Sequence, residues 1–237
     1  MKRIITLAFL SVISLASFAQ SKVGTWSVIP HVGVSIASLT HQSGGTVIGG
    51  NQSQEVKPQA RPGFTGGVDV MYQASDVVGL SVGLSYVQAG CKYKDVDDNG
   101  VIWHDHYART DYISVPLVGH SYIAPGLSIN VGIAPSFLIY GKYHAGMLSY
   151  DLDADGHRTN VQEGVMDIDT KKGLRKFDLS IPVGISYEYE NVVLDARYNV
   201  GVLNAYKHVL IARNKVCLLY TSPSPRDVEE SRMPSSA

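Results

Sequence analysis

Cysteine is nearly absent from this chain of 237 residues: there are two, Cys91 and Cys217. That excludes the disulfide framework on which small secreted domains depend. Long apolar runs are missing too. The uncharged run from Ile4 to Phe18 is followed directly by polar sequence and falls short of the roughly 20 consecutive apolar residues of a spanning helix. A membrane span, if there is one, must therefore be built from strands. Nor is there an excess of positive charge. With 20 Lys and Arg against 21 Asp and Glu the net charge is -1, which excludes an extended nucleic-acid-binding surface. Charged residues make up only 17% of the chain, while Gly (23) and Tyr (14) are plentiful. Glycine relieves crowding inside a small barrel, and tyrosine populates interfacial girdles.

The amino terminus has the order of a secretory signal: a basic Met1-Lys2-Arg3, the apolar run, then the small-x-small site Ser17-Phe18-Ala19. Cleavage after Ala19 assigns 1–19 to the signal peptide and starts the mature chain at Gln20.

From Thr25 to about Val216 apolar and small polar residues alternate in eight segments, and period-2 alternation sorts side chains onto opposite faces of a strand. The sixth segment is the cleanest. Phe177, Leu179, Ile181, Val183, Ile185, Tyr187 and Tyr189 face one way, Asp178, Ser180, Gly184, Ser186 and Glu188 the other. Its length exceeds the roughly 9 to 11 residues that a tilted strand needs to cross a bilayer. Connections alternate between long polar loops (40–62, about 94–109 and 141–174) and tight turns such as Ala74-Ser75-Asp76, Ala124-Pro125-Gly126 and Glu190-Asn191. That sorting is expected of an eight-stranded antiparallel up-and-down transmembrane β-barrel, with short turns in the periplasm and three long loops outside. Trp26, Tyr72, Tyr122, Tyr187 and Tyr189 lie beside the short turns and are expected to form the periplasmic aromatic girdle. A barrel of this size is filled by its own side chains. Asp69, Asp178, Glu188, Asp195 and Arg197, with His31 and His120, are placed inside by parity and expected to pair there, since buried charges persist only when paired.

The pattern stops at Cys217. Cys217-Leu218-Leu219-Tyr220-Thr221-Ser222-Pro223-Ser224-Pro225-Arg226-Asp227 resembles the translation of a transposase-type sequencing-library adapter. Residues 217–237 are accordingly read as an adapter-derived, disordered artefact, residues 20–216 as the barrel domain, and the eighth strand, from about Val209, as truncated. The first and seventh strands would then keep unpaired edges in lipid. Removing Lys2, Arg3, Arg226 and Arg232 from the basic residues, and Asp227, Glu229 and Glu230 from the acidic ones, leaves 16 against 18. Cys91 is then the lone cysteine.

Phe64-Thr65-Gly66-Gly67, Tyr112-Ile113-Ser114-Val115-Pro116-Leu117, Asp178-Leu179-Ser180-Ile181-Pro182-Val183-Gly184 and Asp195-Ala196-Arg197-Tyr198-Asn199-Val200-Gly201 resemble the PorT-like outer-membrane β-barrel family. The resemblance implies a cell outer-membrane protein and, from one branch of that family, an accessory part in protein secretion across the outer membrane. It also implies a terminal aromatic read by the barrel assembly machinery, which is missing here.

Two loops carry a sharper pattern. Asp95-Val96-Asp97-Asp98-Asn99-Gly100 and Asp151-Leu152-Asp153-Ala154-Asp155-Gly156 match the opening of a calcium loop, with oxygens at positions one, three and five and glycine at six. The twelfth positions are His106 and Gln162, so the closing acid is missing, although Glu163 lies one residue on. Asp151, Asp153 and Asp155 form the better candidate, for weak calcium binding at most; Asx-turn chemistry accounts for both loops equally. Lys171, Lys172, Arg175 and Lys176 form a basic cluster suited to anionic lipopolysaccharide or to solvent. No serine or acid partners His31 or His120 at a recognisable spacing, so no catalytic site and no cofactor is expected. Three classes of function follow: a non-enzymatic structural or surface-interaction role through the outer loops, an accessory role in secretion with envelope partners, and a barrel-embedded lipid-modifying enzyme. Co-purified secretion partners would mark the second and altered lipid A the third.

Overall fold

The computed structural model describes residues 22–40, 58–98, 101–152, 157–189, 192–203, 215–225 and 227–229. The signal-peptide segment and most of the first long loop lie outside them. Alternation becomes strand in the order β1 (Trp26–Thr40), β2 (Gln59–Ser75), β3 (Val78–Lys92), β4 (Val96–Asp98), β5 (Val101–Ser114), β6 (Leu117–Ala124), β7 (Leu127–Leu152), β8 (Arg158–Asp169), β9 (Phe177–Tyr189), β10 (Val192–Gly201), β11 (Lys215–Pro225) and β12 (Asp227–Glu229). All belong to one sheet, and every pairing is antiparallel.

Three features depart from the sequence reading. First, the described residues hold twelve strand segments where eight strands were expected. Val115-Pro116 separates β5 from β6 where the fourth segment was read as continuous, because proline has no amide to give to the ladder. Second, two of the expected loops are largely strand. Segment 94–109 contains β4 and the outer half of β5, and segment 141–174 contains nearly half of β7 and all of β8. Tyr, Val, Ile and Met recur through 143–168, and the β7–β8 ladder runs from Lys142↔Asp169 to Leu152↔Arg158. Third, strand continues through 217–225, in the segment that the sequence reading set apart from Cys217 onward. Lys215–Pro225 is β11, whose backbone pairs with β1 from Thr40↔Lys215 to Val34↔Thr221 and with β10 from Val200↔Cys217 to Val192↔Pro225.

The faces are inverted relative to a water-soluble protein. Val32, Val34, Leu80, Leu84, Val131, Ile133, Val183, Ile185 and Leu194 are exposed, while Ser35, Thr65, Ser85, Ser128, Asn130 and Asp195 are buried. An apolar outside around a polar inside is the arrangement that lipid selects. Trp26 and Tyr72 make a tilted aromatic contact at 4.8 Å among the outward residues, and Tyr189 is exposed at the end of β9. Tyr122 leaves the expected girdle. It shares the parity of His120, points inward and donates to Glu188 Oε2 at 3.1 Å. The Ala124-Pro125-Gly126 turn works because Gly126 takes φ +73°, the left-handed position after proline in a type II turn.

Candidate functional site

Two groupings of polar side chains come from this scaffold, one in the interior and one on the outer extension. In the interior, β1, β2, β7, β9 and β10 each send inward one alternate row. Arg197 Nε donates to Asp195 Oδ2 at 3.0 Å, and its Nη2 lies 3.5 Å from Asp69 Oδ2. His31 adds Nδ1 at 3.9 Å from Asp69 Oδ1 and shares a 3.1 Å hydrogen bond with Ser85. Asn130 joins Asp195 to a serine pair, since its Nδ2 donates to Ser186 Oγ at 3.0 Å and the Ser128 and Ser186 hydroxyls are 2.7 Å apart. Ser81 and His120 form a separate pair at 2.8 Å. Arg197, Asp69 and Asp195 are almost fully buried. The interior is thus filled by a polar lattice in which one guanidinium bridges two carboxylates.

Of the interior residues read from parity, Asp69, Asp195, Arg197 and His31 meet, and Glu188 bonds Tyr122. Asp178 stands apart. It lines a cavity of about 30 Å³ with Ser85, Ser114, Ser136, Ser180 and Asn199, room for about one or two waters. Leu174, in the segment after β8, packs with Ala37, Ala89, Tyr112 and Leu138 in a buried apolar cluster.

The outer extension brings the two Asp-rich segments together. Val101–Trp103 pairs with β4 on one side and with Met147–Ser149 of β7 on the other. Asp97 accepts from the Tyr150 hydroxyl at 3.1 and 3.2 Å, Arg158 Nη2 lies 3.8 Å from Asp97 Oδ2, and the Arg158 guanidinium sits over the Tyr150 ring at 4.5 Å. Asp151 is a strand residue whose Oδ2 accepts from Asn160 Nδ2 at 3.0 Å. Asp153 and Asp155 lie outside the described residues. Among the described residues no group of three or more His, Cys, Asp or Glu side chains is arranged to hold a metal. His106, the twelfth position of the first loop, is fully buried; desolvation holds its imidazole below the ordinary histidine range.

Lower on the extension is a cluster that periodicity did not single out. Arg109 donates to Asp111 at 2.7 and 3.0 Å, Tyr86 donates to the same carboxylate at 2.7 Å, and the Arg109 guanidinium lies 5.2 Å from the centre of the Tyr140 ring. Asp167 receives Lys142 at 2.9 Å and His144 at 2.7 Å, and His144 stacks on Tyr107 at 5.0 Å. His144 first, then Lys142, hold the Asp167 carboxyl below its usual range. Of the basic loop residues, Lys171 donates to Ile139 O at 2.7 Å, while Lys172, Arg175 and Lys176 are exposed. Cys91 lies inside the wall beside Tyr93 and Ala108, where burial pushes its thiol up to about 11, which makes it unreactive at neutral pH.

An antiparallel sheet with an apolar exterior and a charge-paired interior defines a class, the outer-membrane β-barrel proteins. The model of the family described as outer membrane protein beta-barrel domain matches residues 18–207, and the chain belongs to that family. Its place is the cell outer membrane. Among solved structures, Ail, the attachment invasion locus protein of Yersinia pestis, is similar at 15% identity with a TM-score of 0.43, over 87% of this chain and 100% of that one. Neisserial surface protein A is similar at 15% identity and 0.42, over 84% and 96%. OprG from Pseudomonas aeruginosa is similar at 11% and 0.40, over 89% and 97%. At these identities and scores the likenesses add nothing to the family assignment. No curated protein matches the sequence.

Proposed function

We propose that this chain is a closed, eight-stave outer-membrane barrel with a non-enzymatic role, structural within the envelope and interactive at the cell surface through its outer extension. Closure is supported by the order of pairing: β1, β2, β3, β5 with β6, β7, β9, β10 and β11 follow one another, and β11 returns to β1. Counted this way β5 and β6 are one interrupted stave, while β4, β8 and β12 are additions. A non-enzymatic role is supported by the interior, where Arg197 ties Asp69 to Asp195, Glu188 bonds Tyr122, and Asp178 lines a cavity of only about 30 Å³, too small to admit a substrate. The observation that carries the surface role is β7. It is 26 residues long, about two and a half times what the bilayer needs, and the excess is a formed ladder with β5 and β8. The origin of residues 217–237 in an adapter is part of this reading; β11 then stands where the protein's own last strand would stand. Loosely bound calcium at Asp151, Asp153 and Asp155 also belongs to it.

The test compares cells lacking the whole gene with cells in which Ala145–Met166, a directly paired position in the ladder, is replaced by a two-residue turn. The reading expects the shortened protein to reach the outer membrane and the two strains to share one envelope or adhesion defect. A shortened protein that restores normal behaviour would place the function in the barrel body and remove the surface role.

A further inference from the structure

Strand register sorts the outward side chains of β3, β5, β7 and β8 into rows, and the rows change character abruptly. Tyr86, Ile113 and Phe137 lie side by side, continuous with the lipid-facing Leu84 and Ile133 below. One step outward are Gln88, Asp111 and Tyr140, then Gly90, Arg109, Lys142 and Asp169, then Lys92, Tyr107, His144 and Asp167. Within two or three residues the outer wall passes from apolar to charged and aromatic, with Lys92, Arg109 and Lys142 set among Asp111, Asp167 and Asp169, which is the depth at which lipid headgroups begin. The Lys171 ammonium, bonded to Ile139 O, marks the same level, since Ile139 is exposed in the lipid band.

The cluster faces sideways, along the wall, so its neighbours are the headgroups of the surrounding outer leaflet. Its cations are held in place by acids and yet are accessible: Lys142 is 42% and Arg109 37% exposed, whereas the Asp111 carboxylate beneath is 5% exposed. Tyr140 and the Tyr107–His144 stack supply flat faces between them. Ordered cations beside aromatic faces suit a phosphorylated saccharide, with phosphate oxygens meeting the cations and sugar rings lying on the tyrosines. We propose that Arg109, Tyr140, Lys142 and His144 form a binding site for the phosphorylated saccharide headgroup of an outer-leaflet lipopolysaccharide. This rests on the outer-membrane barrel reading and gives the lipid partner a defined place, distinct from the loop cluster Lys172, Arg175 and Lys176.

The full chain, refolded into phosphatidylcholine nanodiscs, is titrated with lipopolysaccharide, with the same material dephosphorylated, with phosphatidylglycerol and with inorganic phosphate. Saturable binding to lipopolysaccharide is expected, with about tenfold weaker binding after dephosphorylation, after Lys142→Glu and after Tyr140→Ala, one lost charge-assisted contact being worth about that factor. Lys142→Gln replaces Lys142→Glu if the latter loses the heat-modified gel mobility of the barrel. The site falls if the variants bind undiminished, if phosphatidylglycerol binds as tightly, or if inorganic phosphate displaces lipopolysaccharide at equal concentration. Absence of heat-modified mobility in the unsubstituted chain would instead remove the barrel reading itself.

Discussion

Arg197 holds the interior together. It is the cation between Asp69 and Asp195, and in so dry a site an ion pair is worth less than the penalty for breaking it. Arg197→Leu would leave two buried carboxylates facing each other and is expected to cost about 3 to 5 kcal/mol. Replacing all three with Leu, Asn and Asn should recover much of that loss. Urea unfolding in lipid bilayers checks both; an Arg197→Leu barrel as stable as the original would mean that the lattice is not the core. At the surface, Asp167 gives a prediction with a sign. Its carboxyl titrates below its unfolded value, so its contribution to the β7–β8 ladder is complete above the ordinary carboxylate range and fades as pH falls through the lowered pKa. Carboxyl NMR titration of Asp167 should show that low value, and His144→Ala should bring it upward, since His144 is the larger cause.

Elements were legible to unequal degrees, for physical reasons that particular residues illustrate. β9 agrees residue for residue with the alternation read from Phe177 to Tyr189, because both of its faces have a demanding solvent: lipid on one side and packed polar groups on the other. Above the membrane that demand ends. Tyr143, Val161 and Val165 alternate with polar residues on a sheet wet on at least one face, and composition alone assigns such a stretch to a loop. The outer cluster was hidden by the same region and by bulges. The register shifts between His104 and Tyr107, and again between Asp111 and Tyr112. Each inserts a residue and flips the following side chains to the opposite face without any mark in composition. Tyr122 shows the converse: its position beside a short turn suggested the girdle, whereas it shares the parity of His120. Where the two disagree, parity governs, because a one-residue flip would expose every neighbour to the wrong solvent.

For the whole molecule the central claim is closure. A barrel in lipid must pair every backbone group, each unpaired one costing several kcal/mol, so an open edge on β1 and β10 is incompatible with a stable span. The sequence reading expected those edges to be open, since the eighth strand stops at the adapter-like segment. Nine of the eleven residues of β11 come from the segment beginning at Cys217, and its backbone pairs with both β1 and β10, the pairing that the proposed closure needs. The direct measurement is heat-modified gel mobility together with protease resistance in lipid, made on the full chain and on the chain stopped after Val216. A compact, protease-resistant species for the full chain alone is the predicted result. Equal resistance of the shortened chain, or none for either, would contradict closure through β11.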